Sequence, residues 1–374
     1  MKKTTHITLL PIVALLLLPG CTADEQAPAT DARPPRAVSL WAYTPQPLTR
    51  ADSALLAVDA LPGGSSIGVY AYYHDNSTWT DGARPDFMFN QQATNSASGA
   101  PYTYAPLKYW PNEEADKLSF IAYYPYVDAG TRYGITPLLT PTGTGLPTFT
   151  FTVSDDVKQQ ADFMVSHLKP NLPQTRDTDD DPALPMNDLT VSDRVRFYFE
   201  HMTSKVELHV VVDDAIRHDL AYFTLHSLAL THIYKDGLLT PHYDAATAAT
   251  TFTWSGHTTT TDYACKTTEA YLLLPQTLRD DAQLTIGYDL VFKSEGTTYT
   301  YDGSGNAVAT DTYAYSGLSA SVQLNTLLAT GTDDPITAWL PNHHYVYTIR
   351  LGANRIDFTG QVAPWGDYNW TILN

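Results

Sequence analysis

Cysteine is nearly absent from this sequence, and its scarcity excludes a fold that depends on disulfide bonds. The 374 residues include two cysteines, Cys21 and Cys265. Cys21 follows directly on an apolar N-terminal segment, and Cys265 is left without a partner within the chain. A chain of this length can bury ordinary hydrophobic cores without cross-links. We therefore expect its stability to come from packing.

Basic residues are also scarce relative to acidic ones. The chain has 22 lysines and arginines against 40 aspartates and glutamates, which gives a formal charge of −18 at pH 7. Nucleic-acid binding depends on basic patches that neutralise phosphates, and attraction to anionic lipid headgroups needs the same sign of charge. The composition argues against both classes of partner.

Long apolar runs are missing except at the N-terminus. Lys2 and Lys3 precede an uncharged apolar segment, Ile7–Leu18. This segment is too short to span a bilayer comfortably, and the positive start followed by an apolar run is typical of an export signal. No later run is long enough for a second anchor. We expect the remainder of the chain to lie outside the membrane.

The end of the signal resembles the cleavage site of bacterial lipoproteins. The sequence Leu18-Pro19-Gly20-Cys21 predicts cleavage between Gly20 and Cys21, with acyl chains such as palmitate attached through the Cys21 sulfur. Each buried CH2 of such chains contributes roughly 0.8 kcal/mol, so two or three chains anchor a soluble domain. The acidic pair that follows, Asp24-Glu25, looks like the signal that sends lipoproteins of the Bacteroidetes to the outer surface. The alternative is an ordinary secretory signal followed by a chance cysteine.

Motifs of known enzyme classes are absent as well. The sequence contains no G-x-S-x-G, H-E-x-x-H, G-x-x-x-x-G-K-[ST] or C-x-x-C. The glycines of Pro141–Gly145 predict a turn, and His343-His344, adjacent in a strand, would point to opposite faces and could not chelate one metal. His201 is expected to be buried with a backbone partner. We assign no catalytic residue, metal ligand or cofactor, although sequence does not exclude a pair of glycosidase carboxylates.

An acidic cluster in the middle of the chain has two interpretations. The aspartates at 177, 179 and 181 alternate in the way that calcium-binding loops use. However, Pro182 stands where such a loop needs glycine, and no closing glutamate follows. We favour a solvated linker over a cation site.

Short period-two alternations recur along the chain and predict an all-β fold. Tyrosine is abundant at 25 residues, and 25 prolines with 21 glycines interrupt the chain often. Only 156–165 and 212–220 have the pattern of a helical turn or two. A hairpin is expected where Ser294-Glu295-Gly296 turns the chain into Thr297–Tyr301. The strand segments are Val38–Tyr43, Ile67–Tyr73, Leu118–Tyr124, Phe149–Val153, Val195–Val212, Leu284–Phe292 and Tyr345–Leu351.

Composition divides the chain into four parts. Residues 1–20 are the predicted signal peptide, and residues 21–37, polar and rich in proline and alanine, are a predicted tether. The proline- and aspartate-rich stretch Lys169–Asp193 is the natural boundary between two domains. We therefore predict an N-terminal β-sandwich over 38–190 and a C-terminal β-sandwich over 191–374.

Several short segments, in one order along the chain, are similar to those of the fimbrillin family of Bacteroidetes, the FimA/Mfa-type pilins with their tip and anchor proteins. The segments are IGVYAY at 67–72, YWP at 109–111, LSFIAYYP at 118–125, FEHMTSKV at 199–206 and YVYTI at 345–349, closed by Trp365. The resemblance implies two tandem transthyretin-like β-sandwich domains, exported as a lipoprotein and assembled into surface fimbriae.

The resemblance also implies a way of assembling. In polymerising members an arginine-specific protease removes the first strand, and a C-terminal segment of the next subunit fills the groove that is left. The matching bond here is Arg50–Ala51, and Arg36 is a second candidate whose cleavage would remove only the tether. The alternative is that Val38–Tyr43 is a permanent first strand. Only residues 366–374 follow Trp365, and the sequence leaves open whether this tail can detach as a donor strand. A subunit that accepts a strand but donates none would lie at the end of a fibre.

The function predicted from these features is structural and adhesive. The partners would be other fimbrial subunits, the outer membrane through lipid on Cys21, and a ligand on a host or bacterial surface. The alternative is a surface glycan-binding lipoprotein, suggested by the tether and by aromatic residues expected at strand ends or in loops. A surface hydrolase is a third class. The aromatic residues are Tyr72, Tyr73, Trp79, Trp254, Trp339 and Trp370.

Overall fold

The computed structural model describes residues 36–45, 58–113, 115–128, 133–173, 194–294, 298–304, 306–309, 312–352 and 355–365. Over these residues the chain is almost entirely β-structure, which confirms the all-β prediction. The signal peptide, most of the tether, the acidic cluster and the domain boundary near residue 190 lie outside the described residues. The two-domain division and its transthyretin-like detail stay predictions.

In the described part of the chain, eleven strands precede residue 202. They are β1 (Ser39–Pro45), β2 (Val58–Ala60), β3 (Ser66–His74), β4 (Met88–Asn95), β5 (Tyr102–Thr103), β6 (Lys117–Tyr124), β7 (Ile135–Pro137), β8 (Phe149–Thr152), β9 (Met164–Ser166), β10 (Lys169–Pro173) and β11 (Arg194–His201). A 3-10 turn covers Val157–Gln159.

Fourteen strands and one short helix follow among the described residues after 202. The strands are β12 (Ser204–Val212), β13 (Leu220–Tyr234), β14 (Asp236–Asp244), β15 (Ala249–Ser255), β16 (Thr260–Ala264), β17 (Ala270–Leu273), β18 (Gln276–Thr277), β19 (Gln283–Lys293), β20 (Tyr299–Tyr301), β21 (Ala307–Ala309), β22 (Thr312–Gln323), β23 (Ala338–Trp339), β24 (His343–Leu351) and β25 (Ile356–Pro364). The helix is α1 (Asp214–Arg217), and a second 3-10 turn covers Leu324–Thr326.

The first sheet closes on itself. Its strands run in the order β10-β6-β3-β4-β5-β1-β11-β9, and β9 pairs in turn with β6. Closure from β6 round to β9 leaves the strands of this ring paired on both sides, while β10 pairs only with β6 and β2 only with β1. The interior is filled by apolar side chains with no solvent exposure, among them Leu40, Val69, Phe120 and Phe197. We call this element the barrel.

Three four-stranded sheets form most of the remaining structure. Their orders are β15-β14-β8-β7, β17-β12-β24-β25 and β16-β13-β19-β22. The last two contribute their apolar faces to one core, as in a β-sandwich, and we call this pair the sandwich. The outer faces of barrel strands β3 and β6 join the same core through Tyr70, Tyr72, Ile121 and Tyr123.

The predicted alternations correspond to real strands, with two corrections. The stripe from Leu284 to Leu290 is buried along β19 as expected, but β19 pairs with β22, while β20 pairs with β21. The hairpin expected between β19 and 297–301 is therefore wrong. The segment Val195–Val212 is two strands, because the chain passes from the barrel to the sandwich at Met202, whose N–H donates to the Phe163 carbonyl at 2.8 Å. Both predicted helical turns are present.

Buried tyrosines make the fold sensitive to alkaline pH. Burial raises the pKa of many of them above the ordinary value of 10.0, including six with large shifts, so the folded state holds protons that the unfolded chain releases. Their contribution is complete below about pH 10 and is lost as pH rises further, by about 1.4 kcal/mol per pH unit for each tyrosine. The six are Tyr70, Tyr72, Tyr102, Tyr123, Tyr263 and Tyr347.

We expect Tm, followed by circular dichroism, to fall steeply above pH 10. Lys169 changes the stability in the opposite direction at lower pH, because burial and then the charge of Arg196 lower its pKa from 10.5 to about 8. Its unfolded form therefore binds more protons between pH 8 and pH 10.5, and stability gains slightly there. A Tm that stays level up to pH 12 would show that these tyrosines are not buried as described.

Candidate functional site around the first strand

Strand β1 occupies an interior position in the wall of the barrel. Residues 39–43 pair in parallel with residues 194–198 of β11. On the other side, residues 43–45 pair antiparallel with β2, and Leu40 lies opposite Tyr102 of β5. Hydrogen bonds thus hold the β1 backbone on both sides, and β1 separates β11 from β2 and β5.

The segment before β1 continues this pairing. Ala37 forms a bridge with Tyr109, and the Val38 N–H donates to the Lys108 carbonyl at 2.9 Å. The Trp110 N–H donates to the Arg36 carbonyl, also at 2.9 Å. Backbone contacts to the rest of the barrel therefore begin at Arg36, three residues before β1.

Alternate side chains of β1 fill the barrel core. Val38, Leu40 and Ala42 are 2%, 0% and 5% exposed. Successive residues of a strand point to opposite faces, so the alternation seen in the sequence places all three on the inner face. These three side chains are the apolar part of the contact that holds β1.

The outer face of β1 is held by aromatic and cationic neighbours. Tyr43 stacks on Tyr198 of β11 with ring centroids 5.9 Å apart, and the Arg194 guanidinium lies 5.1 Å from the Trp41 ring centre. The Lys169 ammonium lies 4.4 Å from the Tyr198 ring centre. Burial raises the pKa of Tyr43. Cation–π and ring contacts of this kind add modest stabilisation to the backbone pairing.

A single segment of the chain joins β1 to the strands that follow it. Beyond β1 the chain reaches β2 through residues 46–57, so a cut in that segment would leave β1 held by non-covalent contacts alone. Departure of β1 would expose unpaired backbone groups on β11, β2 and β5 and an apolar slot inside the barrel. An open edge beside an apolar groove is the arrangement that accepts an added strand.

Most of the site residues predicted from sequence lie outside the described residues. These are Gly20, Cys21, Arg50 and Ala51, and the C-terminal segment 366–374 is also outside. Arg36, the second candidate for cleavage, is described. Because it precedes β1, a cut after Arg36 would leave β1 in the barrel.

The histidines expected to be structural have carboxylate partners. His201 is buried as predicted, but its Nδ1 lies 2.7 Å from the Asp162 carboxylate and its ring stacks on Trp365 at 4.1 Å, so the expected backbone partner is wrong. The reason is that the pairing of β11 with β9 brings Asp162, just before β9, to the ring. His344 is 1% exposed and its Nε2 lies 3.2 Å from Glu207. Hydrogen bonds from His209 and then His344 hold the pKa of Glu207 far below 4.5.

The aromatic residues expected at strand ends or in loops are mostly buried. Tyr72, Trp79 and Trp339 are 0%, 8% and 1% exposed, so they are unavailable as binding platforms. Tyr72 lies on the outer face of the barrel, which the sequence cannot show to be covered, and its hydroxyl donates to the Gly145 carbonyl at 2.8 Å. Tyr73 is 39% exposed, and the Trp254 Nε1–H donates to the Met202 carbonyl. Trp370 lies outside the described residues.

The described ranges offer little for metal or redox chemistry. Within them no group of three or more histidine, cysteine, aspartate or glutamate residues could hold a metal ion, and no helix is long and apolar enough to cross a membrane. Cys265 is buried, and burial raises the pKa of its thiol to about 12. The glycines near 143 form the predicted turn, in which the Gly143 N–H donates to the Thr140 carbonyl, and the Gly145 N–H then donates to the Ala83 carbonyl outside the turn.

Sequence reasoning missed one pair of exposed aromatic residues. Tyr313 and Tyr315 of β22 are 49% and 53% exposed although they lie on the inner face of the sandwich. The signal available was the alternation Tyr313-Ala314-Tyr315 in a chain region with few other apolar residues.

Comparisons with known proteins agree on one group of relatives. The model of the "Fimbrillin-like" family matches residues 49–365. A fimbrial protein from Bacteroides vulgatus is 18% identical over 88% of this chain and 99% of its own, with a TM-score of 0.57, which shows a shared fold. FimA from Porphyromonas gingivalis (12% identity, 89% and 98% coverage) and the C-terminally truncated tip fimbrial protein Mfa3 from the same organism (10%, 88% and 100%) both have TM-scores of 0.39. No curated protein matches the chain.

Proposed function

Because this chain belongs to the fimbrillin-like family, we propose that it is a structural and adhesive subunit of bacterial surface fimbriae that assembles by exchanging its first strand. The single observation that best supports the exchange is the position of β1. It lies inside the barrel wall, with Leu40 fully buried, yet it joins the strands that follow only through residues 46–57.

Export and delivery rest on the N-terminal sequence. The signal at 1–20 directs export, cleavage between Gly20 and Cys21 exposes the cysteine, and acyl chains on its sulfur hold the subunit in the outer membrane. The tether that follows separates the folded part from the bilayer surface. Lipid attachment is then the first of two stages, since it places the subunit where assembly takes place.

Cleavage after Arg50 is the second stage. Arg50 lies in the segment that joins β1 to β2, so this cut removes the lipid, the tether and the covalent hold on β1 together. The family match begins at residue 49, which leaves β1 outside the matched region. A cut after Arg36 would release the lipid but leave β1 in place.

An extended segment of a neighbouring subunit would then replace β1. Its backbone would satisfy the groups opened on β11 and β5, and alternate apolar side chains would occupy the positions of Val38, Leu40 and Ala42. The incoming strand restores the backbone pairing and the apolar packing that are lost when β1 leaves. The neighbour is a fimbrial subunit, whether a second copy or a different one.

Treatment of the purified lipid-free chain with an arginine-specific protease tests the exchange. We expect cleavage after Arg50, loss of the N-terminal segment up to Arg50 and, with a second copy as the donor, a ladder of oligomers on a non-boiled gel. The variant Arg50→Ala should remain monomeric, and the matched variant Arg36→Ala should oligomerise like the wild type.

The peptide itself supplies the second readout. A synthetic peptide with the sequence of residues 37–50, added in excess, should compete for the barrel slot and suppress the ladder. A cleaved protein that keeps its own first strand and stays monomeric would overturn strand exchange. Oligomers that form equally well from Arg50→Ala would overturn the role of this arginine.

A further inference from the structure

An open groove of about 900 Å³ lies at one side of the sandwich. Its walls are the inner faces of β19 and β22 on one sheet and the start of β25 on the other, with α1 at one end. Most of the lining residues are apolar or aromatic, including Leu290, Ile356 and Phe358, and the surface they expose to the groove is about half polar. Grooves of this size and character are typical of sites for small and medium-sized ligands.

Three aromatic rings form one wall of the groove. Phe292 and Tyr313 stack with centroids 5.5 Å apart and an interplanar angle of 17°, and Tyr315 meets Tyr313 edge to face at 6.0 Å. The two tyrosines are about half exposed, so parts of their surfaces remain open to the groove. We call these three residues the aromatic wall.

A bulge in β22 fixes the aromatic wall in position. Gly317 has a φ of 70°, a conformation that glycine adopts easily, and its N–H donates to the Asp289 carboxylate at 2.7 Å. The other oxygen of Asp289 lies 2.8 Å from His226 Nε2. The bulge shifts the alternation of β22, so that Tyr315 and Leu318 both face the groove. The rings are thus pre-organised, which lowers the entropy lost on binding.

A peptide strand fits this groove poorly. The outer edge of β25 is interrupted at Gly360, whose carbonyl accepts from the Thr330 N–H at 2.8 Å and whose N–H donates to the Leu328 carbonyl. A strand could pair with β25 only over its first few residues. A strand added to β22 would extend that sheet and lie beside the groove, leaving the aromatic wall open.

The charges around the groove favour an uncharged occupant. Arg355, in the lining, pairs with Asp357 at 3.0 Å, and Arg217 on α1 pairs with Asp214 at 3.3 Å. The chain as a whole carries a formal charge of −18, which repels polyanions. The exposed Asp219 carboxylate and the tyrosine hydroxyls remain as hydrogen-bonding groups for a neutral ligand.

We propose that this groove binds a neutral glycan. The apolar CH faces of pyranose rings would cover the aromatic wall, while their hydroxyls bond to Asp219 and the tyrosine hydroxyls. A neutral glycan is thus the class of ligand proposed for the adhesive role. The glycan site is formed by residues of the sandwich alone and does not depend on β1. Failure of strand exchange therefore leaves the glycan site intact, and failure of glycan binding leaves strand exchange intact.

Affinity electrophoresis of the lipid-free chain tests the glycan site. The probes are gels containing soluble starch, mannan, xyloglucan or β-glucan, with polygalacturonate as the acidic comparison. We expect at least one neutral polysaccharide to retard the protein and polygalacturonate to have no effect. Tyr313→Ala and Tyr315→Ala should each weaken the retardation about tenfold, as expected for loss of one stacking contact.

The matched control is Tyr301→Ala, which removes a more exposed tyrosine from β20, outside the groove lining. This variant should bind like the wild type, and Tm measured on all three variants should show that each is folded. Three results would overturn the proposal: no retardation by any neutral polysaccharide, retardation unchanged in both groove variants, or retardation by polygalacturonate alone. Loss of oligomer formation in Tyr313→Ala without any glycan binding would identify the groove as a protein contact instead.

Discussion

Leu40→Asp should lower the free energy of unfolding by about 5 kcal/mol or more and leave little folded barrel at 37 °C. The Leu40 side chain has no solvent exposure and lies between β11 and β5. An aspartate there must either bury a charge without a partner or bind a proton at neutral pH, and both cost several kcal/mol. That loss is comparable with the whole stability of an ordinary domain. Chemical denaturation followed by circular dichroism measures it.

Ser39→Asp is the matched control for this effect. It places the same charge one residue away on the outer face of β1, opposite Arg194 in the register. We expect a change within about 1 kcal/mol, as for most surface substitutions. If both variants lose the same stability, β1 does not lie in the barrel wall with Leu40 inward.

Trp339→Ala should cost the sandwich about 3–5 kcal/mol. Trp339 is 1% exposed, and its Nε1–H donates to the Tyr347 hydroxyl at 2.8 Å in a fully buried contact. The substitution leaves a large cavity and removes the partner of a buried hydroxyl, and losses of this size follow from such cavities. The change in denaturation midpoint at constant m-value measures the loss.

Two milder variants separate the cavity from the hydrogen bond. Tyr347→Phe keeps the volume and removes only the acceptor for Trp339, so we expect a loss of about 1–3 kcal/mol. Trp339→Phe removes the indole donor and part of the volume, and its loss should fall between the other two. Equal losses in all three variants would contradict the assignment of this pair to the core.

The strands that sequence could predict are those with one buried face. Along β19, Leu284, Ile286, Tyr288 and Leu290 alternate with partly exposed residues, so the period of two is visible without any knowledge of neighbours. The first half of β22 is exposed on both faces, so its alternation Tyr313-Ala314-Tyr315 does not mark a buried face. The bulge at Gly317 then reverses the phase, and a one-residue shift moves every later side chain to the other face.

The pairing of strands could not be predicted from the sequence, because it depends on contacts between residues that are far apart in the chain. The parallel pairing of Ser39 with Arg194 joins residues that are far apart in the chain, and it closes the barrel. Nothing in either strand identifies the other. The same holds for Asp162 and His201, which meet because β9 pairs with β11.

Some features of the candidate site could likewise be predicted from the sequence, and others depend on the fold. The local motif ending in Cys21 predicts the lipid carrier, and the resemblance to the fimbrillin family implies Arg50 as the cleavage point. The interior position of β1, which would give a cut at Arg50 a physical consequence, depends on the barrel. The aromatic wall likewise depends on where the two sheets of the sandwich diverge.

N-terminal sequencing of the protein extracted from fimbriae at the bacterial surface tests strand exchange most directly. We expect Ala51 as the first residue, with neither lipid nor residues 37–50 in the assembled subunit. A first residue at Ala37 would mean that only the tether is removed and β1 stays in place. A blocked, lipidated Cys21 in assembled fimbriae would contradict removal of the first strand.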